Sequence, residues 1–250
     1  MRGNSASKRF HWWLRGVSVV VWLGPACEAD AQVAASPAAV ALDGPETSQQ
    51  LLVTAMEPAG QRKDRTRAAS YESANANVAV VDAEGLVQPS GEGNTEVFVR
   101  LGTELVRVPI SVTGCAEPKP ILFEQQIVPI LTKAGCNSGG CHGKAEGQNG
   151  FRLSVFGSNP AADYDALVKE GRGRRVFPSA PERSLVLQKA TAEVPHGGGL
   201  RIEPEGLGHR RLRRWLVEGA RFTPGDAPQI AAIEVEPAEQ VLLAGETQQL

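Results

Sequence analysis

Two cysteines and one histidine stand close together in the chain, at Cys136, Cys141 and His142. Four small or polar residues separate the thiols, and the imidazole directly follows the second one. This Cys-x4-Cys-His spacing is a variant of the Cys-x-x-Cys-His pattern, in which two thiols bind the vinyl groups of haem c and the imidazole meets the iron. Gly139 and Gly140 permit the positive φ angles that a bulged loop requires. The motif predicts covalent haem, with His142 as the proximal iron ligand.

Two other uses of the same residues stay open. A disulfide between Cys136 and Cys141 would suit an exported chain. Zinc is the other option, with His142 and His196 completing the ligands, although histidine directly after a Cys-x4-Cys pair is unlike most structural zinc sites.

The first 31 residues have the pattern of a secretory signal. Arginine and lysine residues precede a short apolar run, 16–23, and Ala29-Asp30-Ala31 is an A-x-A cleavage site. The run is shorter than the roughly 20 residues that span a bilayer, which disfavours the alternative of an uncleaved anchor. We therefore predict a signal peptide over 1–31 and an exported protein, periplasmic or at the cell surface after cleavage near Ala31.

Short strands separated by turns are predicted for the first half of the mature chain. Residues 32–40 are small and contain proline, which is typical of a linker. Residues 41–114 contain strand candidates at 50–54, 78–81, 96–100 and 106–112, with glycine-rich turns between them. Residues 245–250 (GETQQL) resemble residues 44–51 (GPETSQQL) near the start of this β segment. A second β module is therefore predicted to start in 230–250 and to be truncated there.

Residues 119–223 have helical periodicity instead. Asn159 and Pro160 form a favourable helix N-cap and first position. A last amphipathic helix is predicted at 207–220, with Leu212, Trp215 and Leu216 on one face. The predicted fold is multidomain: an all-β sandwich, an all-α domain, and the start of a second β-sandwich.

The β segment resembles the group 2 bacterial immunoglobulin-like domain (BIG2). The resemblance rests on Tyr71, the segment 75–87, and the Gly91/Gly93 turn that leads to 97–99. It implies an immunoglobulin-like sandwich over 41–114, of a kind that provides protein or cell-surface contacts.

The helical segment is similar to the cytochrome c-like domain of planctomycete-type proteins. The resembling residues lie at 127–131, 136, 141–143, 150–157, 163–164, 171–176, 189–191, 194–199 and 214–216. The resemblance covers roughly residues 120–222 and implies a cytochrome c-like haem domain within 119–223.

The motif does not determine which residue is the second axial iron ligand. Methionine is excluded in the helical segment, because the methionines are Met1 and Met56. His196 lies in a glycine-rich loop suited to a ligand, whereas His209 stands beside Arg210 and Arg211 on what looks like a solvated helix face. We favour His196 as the distal iron ligand, since histidine is a common metal ligand; an open sixth position is the alternative.

Three arginines, Arg172, Arg174 and Arg175, form a basic cluster. A guanidinium suits a haem propionate, so Arg174 and Arg175 are candidate propionate contacts. The simpler interpretation is a solvated basic loop.

The function predicted from these features is covalent haem binding and electron transfer by an exported c-type cytochrome with an unidentified redox partner. The alternatives are an interaction or structural protein with a disulfide or zinc site, and a haem sensor or peroxidase-like enzyme with an open sixth position. The formal net charge of −2 gives no global basic field that would indicate nucleic acid. Cys115 is left over, and its role is open.

Overall fold

The computed structural model describes residues 33–57, 60–235, 238–239, 241–242, 244–245 and 247–249. The predicted signal peptide at 1–31 lies outside these residues. In the described part of the chain, no helix is long and apolar enough to cross a membrane.

The first half of the described chain is built of short strands. Their bounds are β1 Val33–Ser36, β2 Val40–Asp43, β3 Gln49–Gln50, β4 Leu52–Met56, β5 Arg62–Asp64, β6 Ser70–Ser73, β7 Ala79–Val81, β8 Leu86–Pro89, β9 Gly93–Leu101 and β10 Glu104–Thr113. They pair in the orders β1-β4-β5, β2-β10-β9-β6 and β3-β8-β7. Three of the four predicted strands are thus present with shifted ends, and the fourth, 50–54, is divided between β3 and β4.

The β core follows from alternation along the strands. In β10, Val108, Ile110 and Val112 are buried while the residues between them are more exposed, and in β9 Val97 and Val99 are buried in the same way. This period of two places one face of each strand in the core.

The linker prediction for 32–40 is wrong. Val33–Ser36 pairs antiparallel with Leu52–Ala55, and Val40–Asp43 pairs parallel with Ile110–Thr113. Small residues and a proline are weak local strand signals, but the pairing partners lie further along the chain and decide the structure.

Helices and helical turns make up the second half. The α-helices are α1 Val128–Lys133, α2 Pro160–Tyr164, α3 Leu185–Ala190 and α4 Leu207–Val217. Phe123–Ile127 and Asp165–Lys169 are π-helical, and Val155–Gly157, Glu170–Gly173 and Pro181–Arg183 are 3-10 turns. Their shared core contains Leu212, Trp215 and Leu216, as the periodicity predicted.

Helix α4 also contacts the β domain, which we define as the strand-containing residues 33–114. Arg211 donates to the Glu46 carbonyl at 2.9 and 2.6 Å. Arg214 Nε lies 2.9 Å from Glu46 Oε2, an ion pair whose angles are unfavourable for a hydrogen bond. Arg210 and Arg211 therefore do not form the solvated face that their charge suggested.

The described residues of 230–249, where the start of a second β module is predicted, contain no strand. Ile233 and Val241 are 82% and 90% exposed. An opening strand pair alone has no second layer against which to bury such residues.

Candidate functional site

The end of helix α1 places Cys136. Gly135 has a φ of +73°, its N–H donates to the Thr132 carbonyl, and the Cys136 N–H donates to the Leu131 carbonyl, both at 2.9 Å. These two bonds define a Schellman motif, in which a left-handed glycine ends a helix. Cys136 is thus fixed by the backbone directly after the helix.

The loop from Cys136 to His142 closes on itself. The His142 N–H donates to the Cys136 carbonyl at 3.0 Å, and the Gly143 N–H donates to the Ser138 carbonyl at 3.0 Å. A Cβ at Gly143 would lie 2.3 Å from the Asn137 carbonyl oxygen, so only glycine fits after the histidine.

One expectation about this loop is wrong. Positive φ is found at Gly135 and not at Gly139 or Gly140, because the loop is turned by the helix cap and not by its centre. In the same loop, Asn137 is buried and its side-chain amide donates to Thr132 Oγ1 at 2.8 Å.

Both thiols and two imidazoles line one cavity of about 770 Å³ in the helical domain, through Cys136, Cys141, His142 and His196. Ligand-binding cavities span roughly 300–1,000 Å³, so the space suits a cofactor-sized molecule. Four buried aliphatic residues form part of the wall: Leu131, Leu153, Leu167 and Ala190.

His142 is held in one tautomer. Its Nδ1–H donates to the Phe151 carbonyl at 3.0 Å, and the two rings are 4.5 Å apart. A carbonyl can only accept, so the proton is on Nδ1 and the Nε2 lone pair is left for a ligand, as in many metal-binding histidines. Burial, and then the charges of His196 and Arg175, lower the pKa of His142 despite this hydrogen bond, which favours the neutral ring.

A tight turn provides the carbonyl that orients His142. Gln148 and Phe151 exchange backbone hydrogen bonds of 2.8 and 3.0 Å, and the central residues Asn149 and Gly150 both have positive φ. Asn-Gly is the preferred pair for such a turn. This dipeptide is a sequence signal from which the turn could have been predicted.

His196 and His209 occupy different places. His196 lines the cavity, and its Nδ1–H donates to the Gly199 carbonyl at 3.0 Å, which leaves Nε2 as the free nitrogen. His209 is buried in helix α4, does not line the cavity, and lies 3.7 Å from Glu205.

The cavity wall also carries four cationic side chains. Arg174, Arg175, Lys189 and Arg201 line the cavity, and no aspartate or glutamate of the described residues does. Sequence reasoning missed Lys189 and Arg201, since neither lies in the basic cluster. Residues 119–223 contain 16 Lys and Arg against 10 Asp and Glu, in a chain of net charge −2.

The arginine cluster is not one solvated loop. Arg174 is exposed, whereas only 6% of Arg175 is accessible. Arg175 donates to the Ala166 and Gly150 carbonyls, both at 2.8 Å. These two carbonyls replace the water that a solvated guanidinium would have.

The thiols are free in the structure, as is Cys115 in the β domain. Burial, and then the nearby Cys141, raise the pKa of Cys136, while Arg201 opposes the shift. Among the described residues, no group of three or more His, Cys, Asp and Glu side chains is arranged to hold a metal ion, so the four residues of the zinc alternative do not form a tetrahedral set.

Comparison with protein families identifies part of the β domain. Residues 66–103 match the family described as the intimin immunoglobulin-like domain. The chain therefore contains an immunoglobulin-like domain, in agreement with the coarser part of the sequence prediction. A comparison with curated proteins finds no match.

Solved structures of the S-layer protein SbsC show a similarity that is weak over the whole chain. Domains 4 and 5 match with 21% identity and a TM-score of 0.29, covering 32% of this chain and 50% of that one. Domains 5 and 6 match with 22% identity and a TM-score of 0.28, covering 33% and 43%. The chain thus spans half or less of these structures.

Proposed function

We propose that residues 119–223 form a c-type cytochrome domain of an exported electron-transfer protein. Haem c is attached to Cys136 and Cys141, and its iron is bound by His142. The observation that carries this proposal is the convergence of both thiols and the oriented imidazole on one cavity.

The residues of the cavity match the parts of such a cofactor. Two free thiols are available for the two vinyl groups. The aliphatic wall suits a macrocycle, and the exposed Arg174 and Arg201 suit carboxylates. Arg201 thus joins Arg174 as a candidate propionate contact. When bound, haem c supplies an iron that exchanges one electron, while the protein sets its ligands and its burial.

His196 is the proposed distal ligand. It lines the same cavity as His142, and in both rings Nδ1 is used by a backbone carbonyl so that Nε2 is free. Two imidazoles donate more strongly than an imidazole and a thioether, so the reduction potential should be lower than that of a His/Met cytochrome.

Haem attachment is tested by producing the full chain together with a cytochrome c maturation system and staining a denaturing gel for haem. The wild-type band should stain, and the double variant Cys136→Ser/Cys141→Ser should not. Cys115→Ser is the matched control and should stain like wild type, because Cys115 lies outside the cavity. An unstained wild-type band would refute the proposal.

The distal ligand is tested by visible spectroscopy of the reduced protein. His196→Ala should convert a low-spin spectrum into a high-spin one that binds carbon monoxide rapidly. His209→Gln is the control and should stay low-spin. A high-spin wild-type protein would instead support the sensor or peroxidase-like alternative.

A second candidate function concerns the β domain, and the match of residues 66–103 favours it. We propose that this domain, of the group 2 bacterial type, serves as a structural or protein-binding module in the periplasm or at the cell surface. The signal-peptide pattern predicted for residues 1–31 supports this placement. Protease added to intact cells should cut a surface-exposed chain, whereas a periplasmic one should be cut only after the outer membrane is opened; resistance in both cases would contradict export.

A further inference from the structure

Arg175 is a buried cation whose side chain forms no ion pair among the described residues. Its Nη1 donates to the Ala166 carbonyl and its Nη2 to the Gly150 carbonyl, and Cζ lies 4.5 Å from the centre of the Phe151 ring. A buried charge is unfavourable unless polar groups compensate it. Here two carbonyls and one aromatic face provide that compensation.

All but one of these contacts are made to the turn that orients His142. Gly150 and Phe151 belong to the 148–151 turn, and the Phe151 carbonyl accepts the proton of His142 Nδ1. The centre of the Phe151 ring is also 4.5 Å from Arg175 Cζ and 4.5 Å from the centre of the His142 ring. The fixed guanidinium therefore restrains the turn, and the turn restrains the imidazole.

We infer that Arg175 is a positioning residue for His142 and not a propionate contact. It fixes the 148–151 turn to the 166 carbonyl so that the Phe151 carbonyl keeps His142 Nε2 directed away from the turn. This inference rests on the proposed role of His142 as iron ligand.

The neighbouring Arg174 provides the contrast. It lines the same cavity but is exposed, and its side chain makes no hydrogen bond or ion pair within the described part of the chain. Two adjacent arginines thus differ in role: one is committed to the backbone, and the other is free for an anionic group.

The test is the hydrogen exchange of the Nδ1 proton of His142, measured by NMR on the full chain labelled with nitrogen-15 histidine. This proton is observable with or without a diamagnetic ferrous haem. In Arg175→Gln it should exchange roughly tenfold faster, the factor expected when a hydrogen bond loses its restraint. Arg175→Lys, which lacks the planar guanidinium and its second terminal nitrogen, should also exchange faster, and Arg172→Gln, at a position outside the cavity wall, should match wild type.

The outcomes separate the two proposals. If wild type carries haem and Arg175→Lys exchanges at the wild-type rate in a folded protein, the positioning role is refuted while the haem proposal stands. If wild type carries no haem, the haem proposal fails, and the exchange rate still decides whether Arg175 holds His142. Fluorescence of the buried Trp215 monitors folding, and should Arg175→Gln unfold, the lysine variant decides.

Discussion

Alanine substitutions at two glycines of one 3-10 turn, Glu170–Gly173, distinguish the energetic effect of the Arg175 contact from that of backbone strain. Gly171 and Gly173 both have left-handed φ values, +59° and +66°. Alanine at either position costs roughly 1–2 kcal/mol for the backbone alone. A Cβ at Gly171 would also lie 3.0 Å from Arg175 Nη1 and 3.3 Å from its Cζ, whereas at Gly173 the nearest atom is the Val168 carbonyl oxygen at 3.7 Å.

The difference between the two variants measures what Arg175 contributes. Arg175 has to move by a few tenths of an ångström, but it is held by two hydrogen bonds of 2.8 Å. Hydrogen bonds from charged groups contribute about 1.5–3 kcal/mol each. If one is lost, Gly171→Ala should be about 1.5–3 kcal/mol less stable than Gly173→Ala.

Urea unfolding followed by Trp215 emission measures this difference. The four tryptophans are at 12, 13, 22 and 215, so a chain that begins at Gln32 has a single reporter, and it lies in the helical core. Equal free energies of unfolding for the two variants would refute the reasoning, because the strain they share would then explain both.

Three further predictions concern other parts of the chain. Burial, and then Asp64 and Asp82, raise the pKa of Tyr71 to about 12. The contribution of Tyr71 to the free energy of unfolding is therefore complete below pH 10 and is lost as the pH rises towards 12. Tyr71→Phe should lose this pH dependence in alkaline urea titrations. The raised pKa of Cys136 lowers the fraction of its thiolate form. In the haem-free chain Cys136 should therefore be alkylated more slowly than in the denatured chain, and faster as the pH rises. Equal alkylation rates in the folded and denatured chain, measured by peptide mass spectrometry, would contradict this. Glu46→Gln should destabilise the chain by about 1–3 kcal/mol, because Arg214 loses a largely buried partner but keeps Glu218 at 3.0 Å. An unchanged urea midpoint would show that the ion pair between Arg214 and Glu46 is not stabilising.

Local signals predicted much of the fold. Asn159 accepts from the Ala162 N–H at 3.1 Å and caps the helix that begins at Pro160, as their residue types indicated. The apolar stripe of helix α4 and the alternating strands β9 and β10 were readable because periodicity reflects which face is buried. Strand β1 was not, since its pairing with β4 is a long-range property.

The residues of the candidate site were predictable from the sequence, and their geometry was not. The two cysteines and His142 lie in one seven-residue segment, 136–142, and the methionine positions narrow the proposed second axial ligand to histidine. Which histidine lines the cavity depends on folding. The difference in burial between Arg174 and Arg175, which are identical in type and adjacent in sequence, also depends on folding. Arg201 carries no motif and is recognised only by its place in the cavity wall.

The intact mass of the mature chain, produced with a cytochrome c maturation system, tests the central claim most directly. Addition of a thiol to a vinyl group forms the carbon–sulfur bond and transfers the thiol hydrogen to the second vinyl carbon, so no atom is lost. The account predicts a mass equal to the polypeptide plus one haem, with Cys136 and Cys141 protected from alkylation. A mass equal to the bare polypeptide, or lower by two hydrogens as for a disulfide, would contradict it.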